Sequence, residues 1–183
     1  NGYLYGLAIA LQRMAEYDKA EALLSELLEK EPSQLAFQLQ MANLQRVRGE
    51  PQLAINSLAD LYHIFPGNQA IALEYGRALL AQADPKLAVT AGEVLRQQLV
   101  TRKNDPELYA LYAQAANLAG DEVRSTEAIA ESYYQRGGTE EAITQLESLE
   151  KRSDLDYYQR ARVRARLMEL RIEASESGEP TRG

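Results

Sequence analysis

The sequence repeats with a period of 34 residues. Four positions, one small, two apolar and one proline, occur twice at this interval, as Ala20, Leu24, Leu27 and Pro32 and then as Ala54, Leu58, Leu61 and Pro66. The apolar residues within each copy follow the spacing of one α-helix face, and each proline stands where a helix cannot continue. A fixed period in this range is typical of helix pairs that stack on one another. The sequence therefore predicts a chain built of repeated antiparallel helix pairs.

Thirty-four residues is the period of tetratricopeptide repeats. We predict an all-α fold, a tetratricopeptide-repeat helical solenoid of about ten antiparallel helices. Small residues such as Ala8 and Ala20 fit this fold, because they let two helix backbones approach closely where they cross. The spacing breaks once, since Pro106 follows Ala88 by eighteen residues instead of twelve. We expect either a longer helix or a loop there, and hence an irregular joint near residues 96–106.

This pattern divides the chain into three regions. We predict regular repeats over residues 1–105, divergent repeats with a basic capping helix over residues 106–175, and a flexible tail over residues 176–183. The capping helix is predicted over residues 155–174, with its apolar stripe at Tyr157, Ala161, Ala165, Met168 and Ile172. Arginines fill its other faces, as expected of a terminal repeat with a polar outer side.

Charge is distributed unevenly along the chain. The net charge is −7, which argues against nucleic-acid binding. Residues 107–150 carry 2 basic and 9 acidic side chains, whereas residues 151–171 carry 7 basic and 3 acidic ones. The arginines of the final helix could bind an acidic partner, but pairing with the acidic segment just before it is the simpler interpretation. No apolar run approaches the roughly 20 residues that span a bilayer, so we expect no membrane insertion.

The sequence carries no catalytic motif. Cysteine is absent and His63 is the single histidine, so a metal site would lack further nitrogen or sulfur ligands. HExxH and GxSxG motifs are absent, and Gly137-Gly138 lacks the residues of a phosphate-binding loop. We therefore expect this chain to be no enzyme and to bind no cofactor or metal. It begins at Asn1 already within a helical pattern, so we expect it to be part of a longer protein.

The first helices of the repeats offer the best candidate site, since in a tetratricopeptide stack they line the concave face. Side chains predicted to point into that groove combine aromatic, aliphatic, amide and guanidinium groups: Tyr5, Ile9, Gln12, Leu39, Asn43, Arg46, Leu73, Arg77 and Leu80. This mixture suits a protein or peptide partner, held by apolar contacts and oriented by a few polar bonds. The alternative is that Tyr5, Ile9 and Leu39 only pack between helices.

Three stretches of the second half carry a more specific resemblance: residues 107–120 (ELYALYAQAANLAG), residues 127–143 (EAIAESYYQRGGTEEAI) and residues 158–167 (YQRARVRARL). They resemble the C-terminal tetratricopeptide-repeat domain of the beta-barrel assembly-enhancing proteases, periplasmic zinc metallopeptidases of Gram-negative bacteria. The order of regular repeats, irregular joint, small-residue helix and basic terminal helix is similar as well.

The resemblance implies a periplasmic location and a non-catalytic role beside an N-terminal protease domain that carries the HExxH zinc site. The chain would then dock onto its own protease domain and engage the outer-membrane assembly machinery or its substrates. Two other readings stay open. One is a standalone repeat adaptor of another bacterial envelope or secretion assembly. The other is a peptide-sensing regulatory repeat domain, which would need a deep enclosed pocket.

Overall fold

The structure, a computed structural model, describes residues 1–176. Within that range the chain forms ten α-helices: α1 (Gly2–Arg13), α2 (Tyr17–Lys30), α3 (Leu35–Arg48), α4 (Pro51–Ile64), α5 (Gln69–Leu80), α6 (Pro85–Thr101), α7 (Pro106–Leu118), α8 (Glu122–Gln135), α9 (Thr139–Glu150) and α10 (Tyr157–Glu176). The predicted all-α fold of about ten helices is confirmed. The predicted flexible tail lies, apart from Glu176, outside the described residues.

The chain divides into two compact units, a first unit of Asn1–Gln82 and a second unit of Ala83–Gly183. The first unit contains α1 to α5 and the second contains α6 to α10. Within each unit, consecutive helices pack against one another along the chain. The three-region division drawn from the sequence, with its boundary at residues 105 and 106, stays a prediction.

Alanines occupy the helix crossings of the first unit, as the repeat pattern predicts. Ala8, Ala20 and Ala54 are fully buried, and Ala42 is nearly so. Larger side chains fill the space beside these crossings, and Leu24, Leu27, Phe37 and Leu44 form one apolar cluster with Ala8 and Ala20. The 34-residue period therefore reflects two requirements: small residues where helices cross, and large apolar residues that fill the interior beside them.

A residue with left-handed backbone conformation recurs after three helices, α1, α3 and α5. Ala15, Gly49 and Ala83 stand 34 residues apart, and all three have left-handed backbone conformations, with φ of 59°, 91° and 52°. Glycine adopts this conformation readily, whereas alanine pays a steric cost. The left-handed conformation therefore occurs at Ala15 and Ala83 although the sequence there lacks the residue that suits it best.

The predicted irregularity after Ala88 consists of both a longer helix and a loop. Helix α6 has 17 residues, whereas α1 to α5 have 12 to 14. Residues 102–105 follow it, and Asp105 then begins α7 by accepting hydrogen bonds from the backbone N–H groups of Glu107 and Leu108, both at 3.1 Å. Pro106 occupies the first helical position, where its missing N–H is harmless.

The predicted apolar stripe of the last helix is wrong. Helix α10 buries Val163, Leu167, Leu170 and Ala174 against α9 and neighbouring residues. The predicted inward residues, Tyr157, Ala161, Ala165, Met168 and Ile172, are all exposed. Both sets have helical spacing, so periodicity could not choose between them. The observed rotation packs the buried stripe against apolar residues of α8 and α9 and also brings the arginines to the glutamates that they contact.

Candidate functional site

The nine residues predicted to line a groove lie on α1, α3 and α5 of the first unit, and all nine are half-buried. We call this surface the first-helix face. Its helices contact each other in order, α1 with α3 and α3 with α5, so the residues form a continuous surface over three repeats. A half-buried side chain is held by its neighbours on one side, and its other side remains accessible to solvent.

The α1 side of the first-helix face is held in place by α3. The ring of Tyr5 packs against Phe37 with a centroid distance of 5.3 Å, and its hydroxyl donates a 3.4 Å hydrogen bond to the carbonyl of Ala36. The side-chain amide of Gln12 accepts a 2.6 Å hydrogen bond from Gln40. Tyr5 therefore does pack between helices, and Gln12 is oriented by the next repeat.

The polar residues of α3 and α5 are oriented within their own helices. Arg46 donates a 2.8 Å hydrogen bond to Asn43 Oδ1, and Arg77 pairs with Glu74 at 2.6 Å. The Nε atom of Arg46 is buried and has no hydrogen-bond partner in the part of the chain that the structure describes. Local partners of this kind reduce the entropy that a side chain loses when it binds a ligand. The role of the first-helix face in binding stays a prediction.

Charge in the second unit is organised by a cluster that we call the arginine clamp. Its arginines reach the glutamates of two preceding helices: Arg152 to Glu122 (2.8 Å), Arg162 to Glu127 (2.7 Å) and Arg166 to Glu131 (2.6 Å) on α8, and Arg164 to Glu150 (2.7 Å) and Arg171 to Glu147 (2.6 Å) on α9. The predicted intramolecular neutralisation of the acidic segment is confirmed.

Two pairs of the clamp have bidentate geometry. The Nε and Nη2 atoms of Arg162 donate to both oxygens of Glu127, at 2.7 and 2.8 Å, and Arg166 holds Glu131 in the same way at 2.6 and 3.0 Å. Such fork-to-fork pairs fix orientation as well as charge. They set the rotation of α10, and their four-residue spacing on both helices was the sequence signal that could have identified its buried face.

Tyr134 links α8 to α10 beside this pair. Its hydroxyl donates a 2.6 Å hydrogen bond to Glu173, and the guanidinium of Arg166 lies 4.8 Å from its ring centre. The hydrogen bond to Glu173 raises the pKa of Tyr134, with burial adding to the effect. At the turn before α10, hydrogen bonds from Arg152 lower the pKa of Asp154 to about 2.

The structure also reveals a cavity that the sequence did not indicate. It has a volume of about 480 Å³ and lies between α7 and α8 in the second unit, lined by Ala110, Ala113, Gln114, Asn117, Ser125, Ile129, Ser132, Tyr133 and Arg136. It could not be predicted from the sequence, because alanine and serine at helical spacing indicate only that two helices pack closely.

Within the described residues 1–176, neither a helix with the length and apolarity to cross a membrane nor a metal-binding group of three or more His, Asp or Glu side chains is found.

The sequence is similar to known proteases over almost its whole length. It is 28% identical over 167 residues to the beta-barrel assembly-enhancing protease of Yersinia pestis, and 29% identical over 168 residues to that of Escherichia coli. Each match covers 91% of this chain but 34% of the relative, so the chain spans about a third of the length of these curated relatives. The resemblance predicted from the sequence is confirmed. No family model matches the chain.

Solved structures with the same fold are repeat proteins. MamA from Desulfovibrio magneticus has a TM-score of 0.65 at 19% identity, covering 94% of this chain and 95% of its own. A thermophilic tetratricopeptide-repeat protein of Thermus thermophilus, TTC0263, has a TM-score of 0.57 at 18% identity, covering 91% of this chain and 98% of its own. The predicted tetratricopeptide-repeat fold is confirmed. It belongs to a class of repeat folds whose extended surfaces bind other molecules.

Proposed function

We propose that this chain is a protein-interaction scaffold, the non-catalytic repeat domain of a periplasmic metallopeptidase, and that it recruits outer-membrane assembly partners or substrates. The proposal rests on the first-helix face. Three consecutive first helices contact one another and present a continuous surface of half-buried apolar and polar side chains. A surface of this composition suits a polypeptide segment better than a small metabolite.

The first-helix face divides binding between two kinds of contact. Aliphatic side chains at Ile9, Leu39 and Leu73 offer apolar area, whose burial contributes about 25 cal/mol per Å². Asn43 and Arg46, hydrogen-bonded to each other, offer donors and acceptors for the main chain of a bound segment. The apolar contacts then supply affinity, and the amide and guanidinium groups fix the direction of the segment.

The similarity to beta-barrel assembly-enhancing proteases supports the choice of partner. Those proteins are named as proteases that enhance beta-barrel assembly, and this chain corresponds to about a third of their length. We propose that the remaining part supplies the peptidase, that the repeat domain docks onto it, and that both act in the periplasm. A different kind of upstream domain would instead favour a standalone adaptor.

Photo-crosslinking in the periplasm of a Gram-negative host tests the proposal. A photoreactive phenylalanine analogue replaces Asn43 or Arg77 on the first-helix face, and Asp60, an exposed residue of α4, as the matched control. We expect positions 43 and 77 to form adducts with an outer-membrane β-barrel protein or a component that assembles such proteins. Position 60 should form none with these proteins.

Adducts with these proteins from position 60 alone would contradict the assignment of the site. Adducts at positions 43 and 77 with proteins unrelated to the outer membrane would keep the binding face and overturn the proposed partner class. The experiment therefore separates where the domain binds from what it binds.

A further inference from the structure

The exposed side of α10 carries a stripe of apolar and small residues. They stand alternately three and four positions apart: Tyr158, Ala161, Ala165, Met168, Ile172 and Ser175. All six are exposed, and the two largest are strongly so, with Tyr158 79% and Met168 66% exposed. This spacing is the heptad pattern of helices that pair lengthwise with another helix. Helix α10 therefore has a second apolar side besides the one that buries Leu167 and Leu170, and this side is open to solvent.

The order of large and small residues in this stripe is complementary to itself in reverse. Two antiparallel copies of α10 can pair in a register with three kinds of layer: Ala165 opposite Met168, Ala161 opposite Ile172, and Tyr158 opposite Ser175. Every layer then combines one large and one small side chain, which fills the contact without overpacking. Parallel copies would instead set each residue against itself, so that crowded layers such as Tyr158 would alternate with loosely filled ones such as Ala165.

A groove at one end of the stripe matches the aromatic rings at its other end. The groove has a volume of about 370 Å³, and Met168, Ile172 and Ser175 are among the residues that line it. At the other end, Tyr157 and Tyr158 are 80% and 79% exposed and pack edge to face with a centroid distance of 5.6 Å. Tyr158 and Ile172 stand roughly 21 Å apart along the helix, at about 1.5 Å per residue. A tyrosine therefore cannot reach the groove of its own chain, but an antiparallel copy brings one to it.

The charges beside the stripe suit the same antiparallel arrangement. Arg162 and Glu169 flank it on one side, and in two antiparallel copies each comes close to the opposite charge of the other copy. Both remain partly exposed although each has a partner within its own chain. On the other side, Arg164 and Arg171 approach the arginines of the second copy, but the glutamates of α9 already pair with them at 2.7 and 2.6 Å. The arginine clamp thereby offsets charge that would otherwise repel a second copy.

We propose that the exposed stripe of α10 binds a second copy of this chain, through antiparallel pairing of the two α10 helices. The contact is the same on both copies, so each copy places its tyrosines at the groove of the other. A single helix pair buries less than the roughly 800 Å² per partner of stable complexes, so the dimer should form in the micromolar range. This surface goes beyond the proposed function, because it lies in the second unit and shares no residue with the first-helix face.

Sedimentation equilibrium of the 183-residue chain tests the pairing. We expect the mean mass to rise from that of a monomer toward twice that value between about 1 µM and about 500 µM. Ala165→Lys should weaken dimerisation at least about tenfold, because it places a charge in the centre of the apolar contact. Ala22→Lys makes the same change at an exposed alanine of α2 and should leave dimerisation unchanged. A monomer at every concentration, or equal dimerisation of the two variants at unchanged thermal unfolding midpoints, overturns the proposal.

Disulfide crosslinking determines the direction of the pairing. The chain contains no cysteine, so Ala161→Cys and Ile172→Cys each introduce a single thiol. The proposed register brings the first thiol of one copy beside the second thiol of the other, as a disulfide requires. Under mild oxidation, an equimolar mixture of the two variants should give a linked dimer that contains both, identified by mass spectrometry, and neither variant alone should give one. Linked dimers from each variant alone, or no mixed product, would overturn the antiparallel pairing.

Discussion

The two units achieve helix packing in different ways. In the first unit, small residues recur at the helix crossings every 34 residues and the interior is filled by apolar stripes. In the second unit, the last three helices are joined by the arginine clamp as well as by an apolar cluster that includes Leu146 and Leu170. A strict repeat thus specifies its own packing, whereas a divergent one needs a further device to fix how its helices are rotated.

The two units also differ in the surfaces that they leave open. The first-helix face of the first unit consists of half-buried side chains that neighbours hold in place. The cavity of the second unit combines a floor where serine hydroxyls bond to backbone carbonyls with a rim of solvent-exposed polar side chains. We propose the first-helix face of the regular unit as the broad surface that binds a polypeptide.

The largest expected effect comes from the buried face of α10. Leu170→Ala should lower the free energy of unfolding by roughly 2–5 kcal/mol, because Leu170 is fully buried and its truncation leaves a cavity. Met168→Ala should change it by less than about 0.5 kcal/mol, since Met168 is 66% exposed. Urea unfolding of the 183-residue chain measures both. A greater loss for Met168→Ala would restore the apolar stripe predicted from the sequence.

The arginine clamp should give the next largest effect. A double-mutant cycle with Arg166→Gln and Glu131→Gln should yield a coupling energy of about 1–2 kcal/mol, since the pair is bidentate and mostly buried. The same cycle on Arg171 and Glu147 is the control, with an expected coupling below about 0.5 kcal/mol because that pair is more exposed. Equal couplings would mean that the clamp does not orient α10.

The repeated left-handed turn predicts a smaller pair of changes with opposite signs. Gly49→Ala should lower the free energy of unfolding by roughly 1 kcal/mol, because φ there is 91°. Ala15→Gly should raise it by roughly 0.5 kcal/mol, as relief of steric strain exceeds the entropy gained by the unfolded chain. Thermal unfolding measures both, and changes of the same sign would show that the two turns are not equivalent.

Acid sensitivity at Asp154 is the smallest expected effect, because the side chain is exposed. The folded-state pKa of Asp154 is lowered to about 2 by hydrogen bonds from Arg152. Its contribution to stability is therefore complete above about pH 4 and is lost as the pH falls toward about 2. Asp154→Asn should reduce the drop in urea midpoint between about pH 5 and about pH 2.5. An unchanged drop would show that this ion pair adds nothing to the second unit.

Much of the fold could be predicted from the sequence, for an identifiable physical reason. Helix crossings admit only small residues, so Ala20 and Ala54 mark them at a fixed interval and the period becomes visible. The rotation of α10 could not be predicted by the same means, because the stripe at Leu167 and Leu170 and the stripe at Met168 both follow helical spacing. Their tertiary contacts distinguish them, since the Leu167 and Leu170 stripe packs into the apolar cluster while the arginines reach the glutamates of α8 and α9, and those contacts join distant parts of the chain.

The two sites differ in how far the sequence predicts them, because repeat register fixes helix positions but not the contacts between distant residues. The helices that carry Tyr5, Asn43 and Arg77 follow from repeat register, although their contacts with Phe37, Arg46 and Glu74 do not. The cavity at Arg136 left no signal, because its shape depends on hydroxyl-to-carbonyl bonds between α7 and α8 that no spacing rule encodes.

An affinity measurement determines whether the first-helix face of the first unit binds the protein partner. The partner crosslinked at position 43 is titrated against the wild type, against Asn43→Ala with Arg77→Ala, and against the matched control Asn56→Ala with Arg96→Ala, which alters exposed residues elsewhere. We expect at least about tenfold weaker binding for the first pair, equivalent to about 1.4 kcal/mol, at an unchanged unfolding midpoint. Wild-type affinity in that pair, or an equal loss in the control, would contradict it.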